Sequence, residues 1–219
     1  RYRGTKVVSI SPDYAEYVKF ADNWLSVKPG TDGALAMAMA HVILKEFYVK
    51  QETEYFNNYV KNYTDFPFLI TLSEENGAYT ADRFLLASDL GRNTNNAEWK
   101  AVVYDAKTGE FAVPQGSLGS RWGEEGTWNL TMIDEETGEA IDPRMSLHGV
   151  EDQVVTVKLP YFDARGRHVL KRAIPVKQVV KEDGSKVFVT SVYALMLANY
   201  GIDRGLGDDL PTRYDEIAP

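Results

Sequence analysis

The stretch Gly4 to Tyr48, GTKVVSISPDYAEYVKFADNWLSVKPGTDGALAMAMAHVILKEFY, decides the fold, because short apolar runs alternate in it with helical patterns around two polar turns. Thr5 to Ile10 is rich in β-branched residues and stops at Pro12, which has no N–H to donate. Tyr14, Val18 and Ala21 then recur at helical spacing, with Glu16, Lys19 and Asp22 on the other side, which predicts a short amphipathic helix. Trp24, Leu25 and Val27 form a second strand-like run, closed by Lys28-Pro29-Gly30, where proline presets a turn and glycine takes positive φ. Thr31 and Asp32 are good N-caps for a helix over Asp32 to Tyr48, dense in Ala, Leu and Met.

Strand, loop, helix, strand, turn, helix is the pattern of a parallel α/β unit, whose ligands lie beyond the carboxyl ends of the strands. Two turns then share one edge: Ser11-Pro12-Asp13, and Gly30-Thr31-Asp32. Free backbone N–H groups at a helix start take phosphate or carbonyl oxygens, and a short carboxylate accepts paired N–H bonds from a purine. On residue types alone, ordinary turns and caps with no ligand are the commoner explanation of such a pair. There is neither G-x-G-x-x-G nor a P-loop.

Three segments carry a resemblance: Lys6 to Ile43 of the stretch above, Ser117 to Leu130 (SLGSRWGEEGTWNL) and Val189 to Leu206 (VTSVYALMLANYGIDRGL). The first resembles the dimethyl sulfoxide reductase family of molybdopterin oxidoreductases at large. The other two are similar to its branch of membrane-bound respiratory nitrate reductase alpha subunits, and the likeness runs along nearly the whole chain. The resemblance implies an internal piece of a longer catalytic subunit. That subunit reduces nitrate to nitrite at a molybdenum bis(molybdopterin guanine dinucleotide), with electrons arriving through iron-sulfur clusters. It also implies an iron-sulfur beta subunit and a membrane gamma subunit as partners, in a membrane-associated complex on the cytoplasmic face of a bacterial inner membrane. The positions matching Ser11, Pro12, Asp13, Gly30, Thr31 and Asp32 then contact the guanosine end of one dinucleotide, with Asp32 accepting from the guanine ring. Many members have Asp-Pro-Arg where this chain reads Ser11-Pro12-Asp13, so the weight rests on Gly30 to Asp32. The competing reading is a non-enzymatic scaffold or docking domain for other subunits.

Further along, Tyr55, Phe56, Tyr59, Val60 and Tyr63 predict a helix over Glu54 to Tyr63 with an aromatic core face. Phe68 to Leu72 reads as a strand before a turn at Asn76-Gly77, and Phe84, Leu85 and Ala87 suggest a helix started by Thr80. From Trp99 the period changes to two. Trp99 to Tyr104, Phe111 to Val113 and Val154 to Leu159 read as strands, and Ile174 to Val180 with Lys186 to Val192 flank Asp183-Gly184, a strong hairpin signal. Tyr193 to Tyr200 is a short helix ended by Gly201. The expected fold class is therefore α/β: Rossmann-like parallel β-α units on the N-terminal side, then a β-rich, partly antiparallel region. The expected divisions are 1–91 as a cofactor-binding lobe, 92–192 as a β-rich lobe, and 193–219 as a short helix and polar tail.

The 219 residues suffice for a sizeable core, and 44% of them are hydrophobic. A formal charge of -8 argues against nucleic acid as a partner, because phosphate binding needs clustered Lys and Arg. With no cysteine there is no thiolate for an iron-sulfur cluster and no disulfide. No apolar run reaches the length of roughly 18 residues needed to cross a membrane, so no direct insertion is expected. His41, His148 and His168 lack metal-ligand spacing, and His41 reads as a satisfied core histidine. Glu74-Glu75, Glu124-Glu125 and Asp208-Asp209 read as solvated surface. Arg121, Trp122 and Trp128 form a glycine-punctuated loop suited to stacking or, more commonly, to anchoring in a core. No catalytic residue and no metal ligand is assigned to this chain.

Overall fold

A computed structural model describes residues 3–14, 16–116, 130–160, 169–202 and 204–206. The loop containing Arg121, Trp122 and Trp128, and the pairs Glu124-Glu125 and Asp208-Asp209, lie outside the described residues.

The chain opens with β1 (Val8–Ile10) and β2 (Asn23–Leu25), which pair in parallel with Val8, Ser9 and Ile10 opposite Asn23, Trp24 and Leu25. The amphipathic helix expected between them is only a 3-10 turn at Val18–Phe20. Tyr14, Tyr17 and Phe20 stay exposed, so there is no buried stripe to offset the cost of nucleating a short helix. Helix α1 (Asp32–Ile43) follows and runs on as a π-helical segment, Leu44–Lys50, two residues beyond the expected end. Its His41 is fully buried, and the Nδ1–H donates to the Tyr200 carbonyl at 2.9 Å, pinning the N-terminal unit to the end of the helix Val192–Asn199.

Helix α2 (Glu54–Tyr63) has the expected bounds but not the expected aromatic core face. Val60 is buried and Phe56 packs on Phe47 and Tyr48, whereas Tyr55, Tyr59 and Tyr63 point into solvent. The three tyrosines are four residues apart and form their own stripe beside the Phe56–Val60 one.

Next come β3 (Leu69–Glu75) and β4 (Ala78–Phe84), joined at Asn76-Gly77, whose φ values of +53° and +73° suit a two-residue hairpin turn. This hairpin replaces the helix suggested from Thr80; a 3-10 turn at Ala87–Leu90 follows. Short pairs come after it: β5 (Val103–Tyr104) with β6 (Phe111–Ala112), and β7 (Pro114–Gln115) with β8 (Thr131–Asp134), both antiparallel. Trp99, expected to begin a strand, instead ends a 3-10 turn and is exposed.

The long strands are β9 (Gln153–Pro160), β10 (Val169–Val180) and β11 (Lys186–Ser191), with β10 and β11 forming the expected hairpin, before α3 (Val192–Asn199). These close into a barrel in the order β10-β11-β3-β4-β9, antiparallel except for a parallel contact of Tyr79 in β4 with Val157 in β9. The barrel takes two strands from before Gly91 and three from after it, so a boundary at residue 91 does not separate the strands of this sheet. Leu72, Val157, Ile174, Val176 and Ala198 fill one core cluster, and Leu69, Leu85, Val102, Leu147 and Val189 another. Helix α3 is capped by Ser191, whose hydroxyl accepts from the Ala194 N–H and donates to the Met145 carbonyl.

One five-residue loop is used twice. Asp105-Ala106-Lys107-Thr108-Gly109 and Asp134-Glu135-Glu136-Thr137-Gly138 both read D-x-x-T-G. In each, the aspartate accepts from the next two N–H groups but one and from the threonine hydroxyl, and the glycine, at φ +73° and +70°, donates back to the aspartate carbonyl. The mixed α/β content agrees with the expected class.

Candidate functional site

In a parallel pair both strands end on the same side, so the loop after β1 and the turn after β2 leave one edge together. Ser11 lies at the end of β1, and the ladder continues through its N–H to the Leu25 carbonyl at 3.2 Å. The Ser11 carbonyl accepts from the Trp24 indole N–H at 3.0 Å, and its hydroxyl donates to Asp13 Oδ1 at 3.1 Å and accepts from the Tyr17 hydroxyl at 3.3 Å. Ser11 is buried with its polar atoms engaged. These bonds hold the loop's shape. Pro12 and Asp13, beside it, are both exposed.

The second turn has Pro29 and Gly30 at its centre, Gly30 at φ +78°, and is closed by the Thr31 N–H donating to the Lys28 carbonyl at 3.1 Å. A Cβ at Gly30 would be strained by its backbone although the space around it is open. Thr31 is the N-cap of α1, but its hydroxyl donates to the Lys28 carbonyl at 2.6 Å and caps no helix N–H. The first amides of α1 thus lack a side-chain acceptor, and the positive end of the helix dipole is presented at the edge. Asp32 sits in that first turn, exposed, and its carboxylate makes no hydrogen bond or ion pair among the described residues. No hydrogen bond among the described residues joins the side chains of the first turn to Gly30, Thr31 or Asp32; what they share is the edge, set by the β1–β2 register.

The sequence reading missed the residues that shape the first turn. Trp24 does so through its indole N–H and through an edge-on contact with Tyr14, ring centres 5.3 Å apart, and Tyr17 through its hydroxyl. A tryptophan facing the end of the neighbouring strand is visible only once the register is known. Asp22 also fixes the pair, accepting from the Val7 N–H at 2.8 Å.

The molybdopterin oxidoreductase family profile matches residues 1–197. The chain belongs to the molybdopterin oxidoreductase family. It is 58% identical over 219 residues to the nitrate reductase alpha chain of Bacillus subtilis, covering all of this chain and 18% of that relative. It is 46% identical over 231 residues to the respiratory nitrate reductase 1 alpha chain of Escherichia coli, covering 99% of this chain and again 18% of the relative. A perchlorate reductase subunit alpha of Dechloromonas aromatica is 34% identical over 122 residues, covering 56% of this chain and 11% of that relative. The chain thus spans under a fifth of the length of these two nitrate reductase alpha chains. Membership of the family implies a molybdenum-pterin cofactor in the protein that carries this chain. The free carboxylate of Asp32 and the uncapped amides of α1 are of the types that suit a purine and an oxyanion.

Proposed function

We propose that this chain is a section of a nitrate reductase catalytic subunit, and that its share of the work is to hold the guanosine end of a molybdopterin guanine dinucleotide. The observation that carries the reading is the parallel β1–β2 pair, which brings Asp13 and Gly30 to Asp32 to one edge with the Asp32 carboxylate unengaged. In this reading Asp32 accepts from the guanine N–H groups. The uncapped amides of α1 and the open Gly30 turn receive ribose or phosphate oxygens, and Asp13 borders the same edge while Ser11 and Trp24 keep its loop in place. When bound, the cofactor supplies the oxygen-atom transfer that turns nitrate into nitrite. The residues named here orient its nucleotide tail and lend no group to the reacting atoms. Iron-sulfur clusters, an iron-sulfur beta subunit and a membrane gamma subunit belong to the same proposal, as does a membrane-associated complex on the cytoplasmic face. None of the described helices is long and apolar enough to cross a membrane, which suits attachment through a partner. A docking role is favoured separately by the exposed Tyr55, Tyr59 and Tyr63 stripe on α2.

The test is the guanine nucleotide released per molybdenum on denaturing the intact protein. Loss of charge-assisted hydrogen bonds worth about 1.5–3 kcal/mol predicts about 10- to 100-fold weaker retention in Asp32→Ala. Because Asp32 is exposed and unengaged, the variant should melt close to wild type. Wild-type nucleotide content in Asp32→Ala would remove the assignment.

A further inference from the structure

An open pocket of about 400 Å³ lies where the π-helical segment, α2, the loop after Pro143 and α3 meet. Two backbone irregularities form its wall. The π-helical segment contributes Tyr48, and Glu52, just beyond it, sits at φ +45°, a left-handed conformation that a glutamate adopts only under constraint. Strained backbone of this kind concentrates at sites that use it.

The lining is cationic and rich in donors although the chain as a whole carries -8. Arg144 donates Nε to the Ser146 carbonyl and Nη2 to the His148 carbonyl, both at 3.0 Å, which locks its plane. It has no carboxylate partner among the described residues. Arg204 is held by the Ala173 and Ile202 carbonyls, and Lys61 by Asp142 at 2.6 Å. Tyr193 lines the pocket, and its hydroxyl makes no hydrogen bond among the described residues. Burial, with the nearby Glu52 and Tyr48, raises the Tyr193 pKa, so the phenol remains a donor across the physiological range. Glu52 works against an anion here.

We propose that this cavity is a binding site for a small ligand carrying a phosphate or carboxylate group, with Arg144 and the Tyr193 hydroxyl as its donors. The locked guanidinium presents its remaining N–H groups as a planar fork, the shape that either oxyanion accepts bidentately. A volume of this size admits more than a bare ion.

Inorganic phosphate and succinate, each titrated calorimetrically into the intact protein at constant ionic strength, test the site and separate the two chemistries. Saturable binding of one or both is expected, weakened at least about tenfold in Arg144→Gln and several-fold in Tyr193→Phe, and tightened about threefold in Glu52→Gln. The opposite signs matter, because damage to the fold would weaken binding in all three. Tyr193→Phe keeps the ring and reads the hydroxyl alone should Arg144→Gln fail to fold. No saturable heat with either anion, binding unchanged in both Arg144→Gln and Tyr193→Phe, or weaker binding in Glu52→Gln would each overturn the proposal.

Discussion

Phe68→Ala is expected to destabilise the chain by about 3–5 kcal/mol, the range for a buried aromatic truncated to alanine. Phe68 is completely buried, stands edge-on to Phe84 with ring centres 6.2 Å apart, and packs among Ala101, Val103, Ala112 and Ile141. Its surroundings have little freedom to close on the hole. The Phe68 carbonyl accepts from the Val192 N–H at the start of α3, residue 68 bridges Val103 of β5, and the next residue's N–H donates to the Val102 carbonyl. Barrel, short hairpin and α3 thus meet on one residue. Urea unfolding should show a lower midpoint with an unchanged slope, and Phe68→Leu should recover more than half of the loss. A Phe68→Ala midpoint within error of wild type would mean that these three elements do not share a core there.

The second large effect is expected at Asp105, where alanine should cost about 2–4 kcal/mol, against about 1 kcal/mol for Asp134→Ala in the sister D-x-x-T-G loop. Both aspartates accept from two turn amides and a threonine hydroxyl, so loop chemistry alone predicts equal losses. Burial separates them. Each also accepts one amide from outside its loop, Asp105 from the Asp142 N–H at 2.9 Å and Asp134 from the Val113 N–H at 3.2 Å, but Asp105 is buried whereas Asp134 is half-buried and its turn bonds are exposed to water. Burial alone pushes the Asp105 pKa up; the N–H groups of Asp142, Lys107 and Thr108, with the Thr108 hydroxyl, outweigh it and hold the carboxyl below its ordinary range. A carboxylate whose folded pKa is depressed contributes fully above its unfolded value, near 3.9. As pH falls past that value the unfolded chain takes up the proton first, and the contribution is gone once the folded carboxyl is also protonated. The gap between wild type and Asp105→Ala should therefore be widest near pH 7 and narrow below about pH 4. A gap that widened in acid would reverse the sign and exclude this account.

Local chemistry wrote part of the fold plainly in the residues. Pro12 stopped β1, Pro29-Gly30 shaped the turn before α1, and the three- and four-residue spacing of Tyr55, Phe56, Tyr59, Val60 and Tyr63 placed α2 within its observed bounds. Asp183-Gly184 likewise announced the β10–β11 hairpin. Each depends on a property of one or a few adjacent residues: a missing donor, a permitted positive φ, a repeat along one helix. The candidate edge was legible for the same reason, since Gly30, Thr31 and Asp32 are turn and cap residues by type.

What depended on distant partners was not legible. Thr80 to Phe84 became a strand because β3 and β9 lie on either side of it, and the segment between β1 and β2 wound only into the 3-10 turn at Val18–Phe20 because Tyr14, Tyr17 and Phe20 stay exposed. The barrel joins β3 to β11, more than 100 residues apart, a pairing with no signature in any local window. At the candidate edge, only the tertiary structure showed that Ser11 is buried and already bonded to Asp13, Tyr17 and Trp24. Residue types determined which groups this chain offers at each turn; tertiary structure decided which of them remain unengaged, because a hydrogen bond already made within the protein is no longer on offer to a ligand.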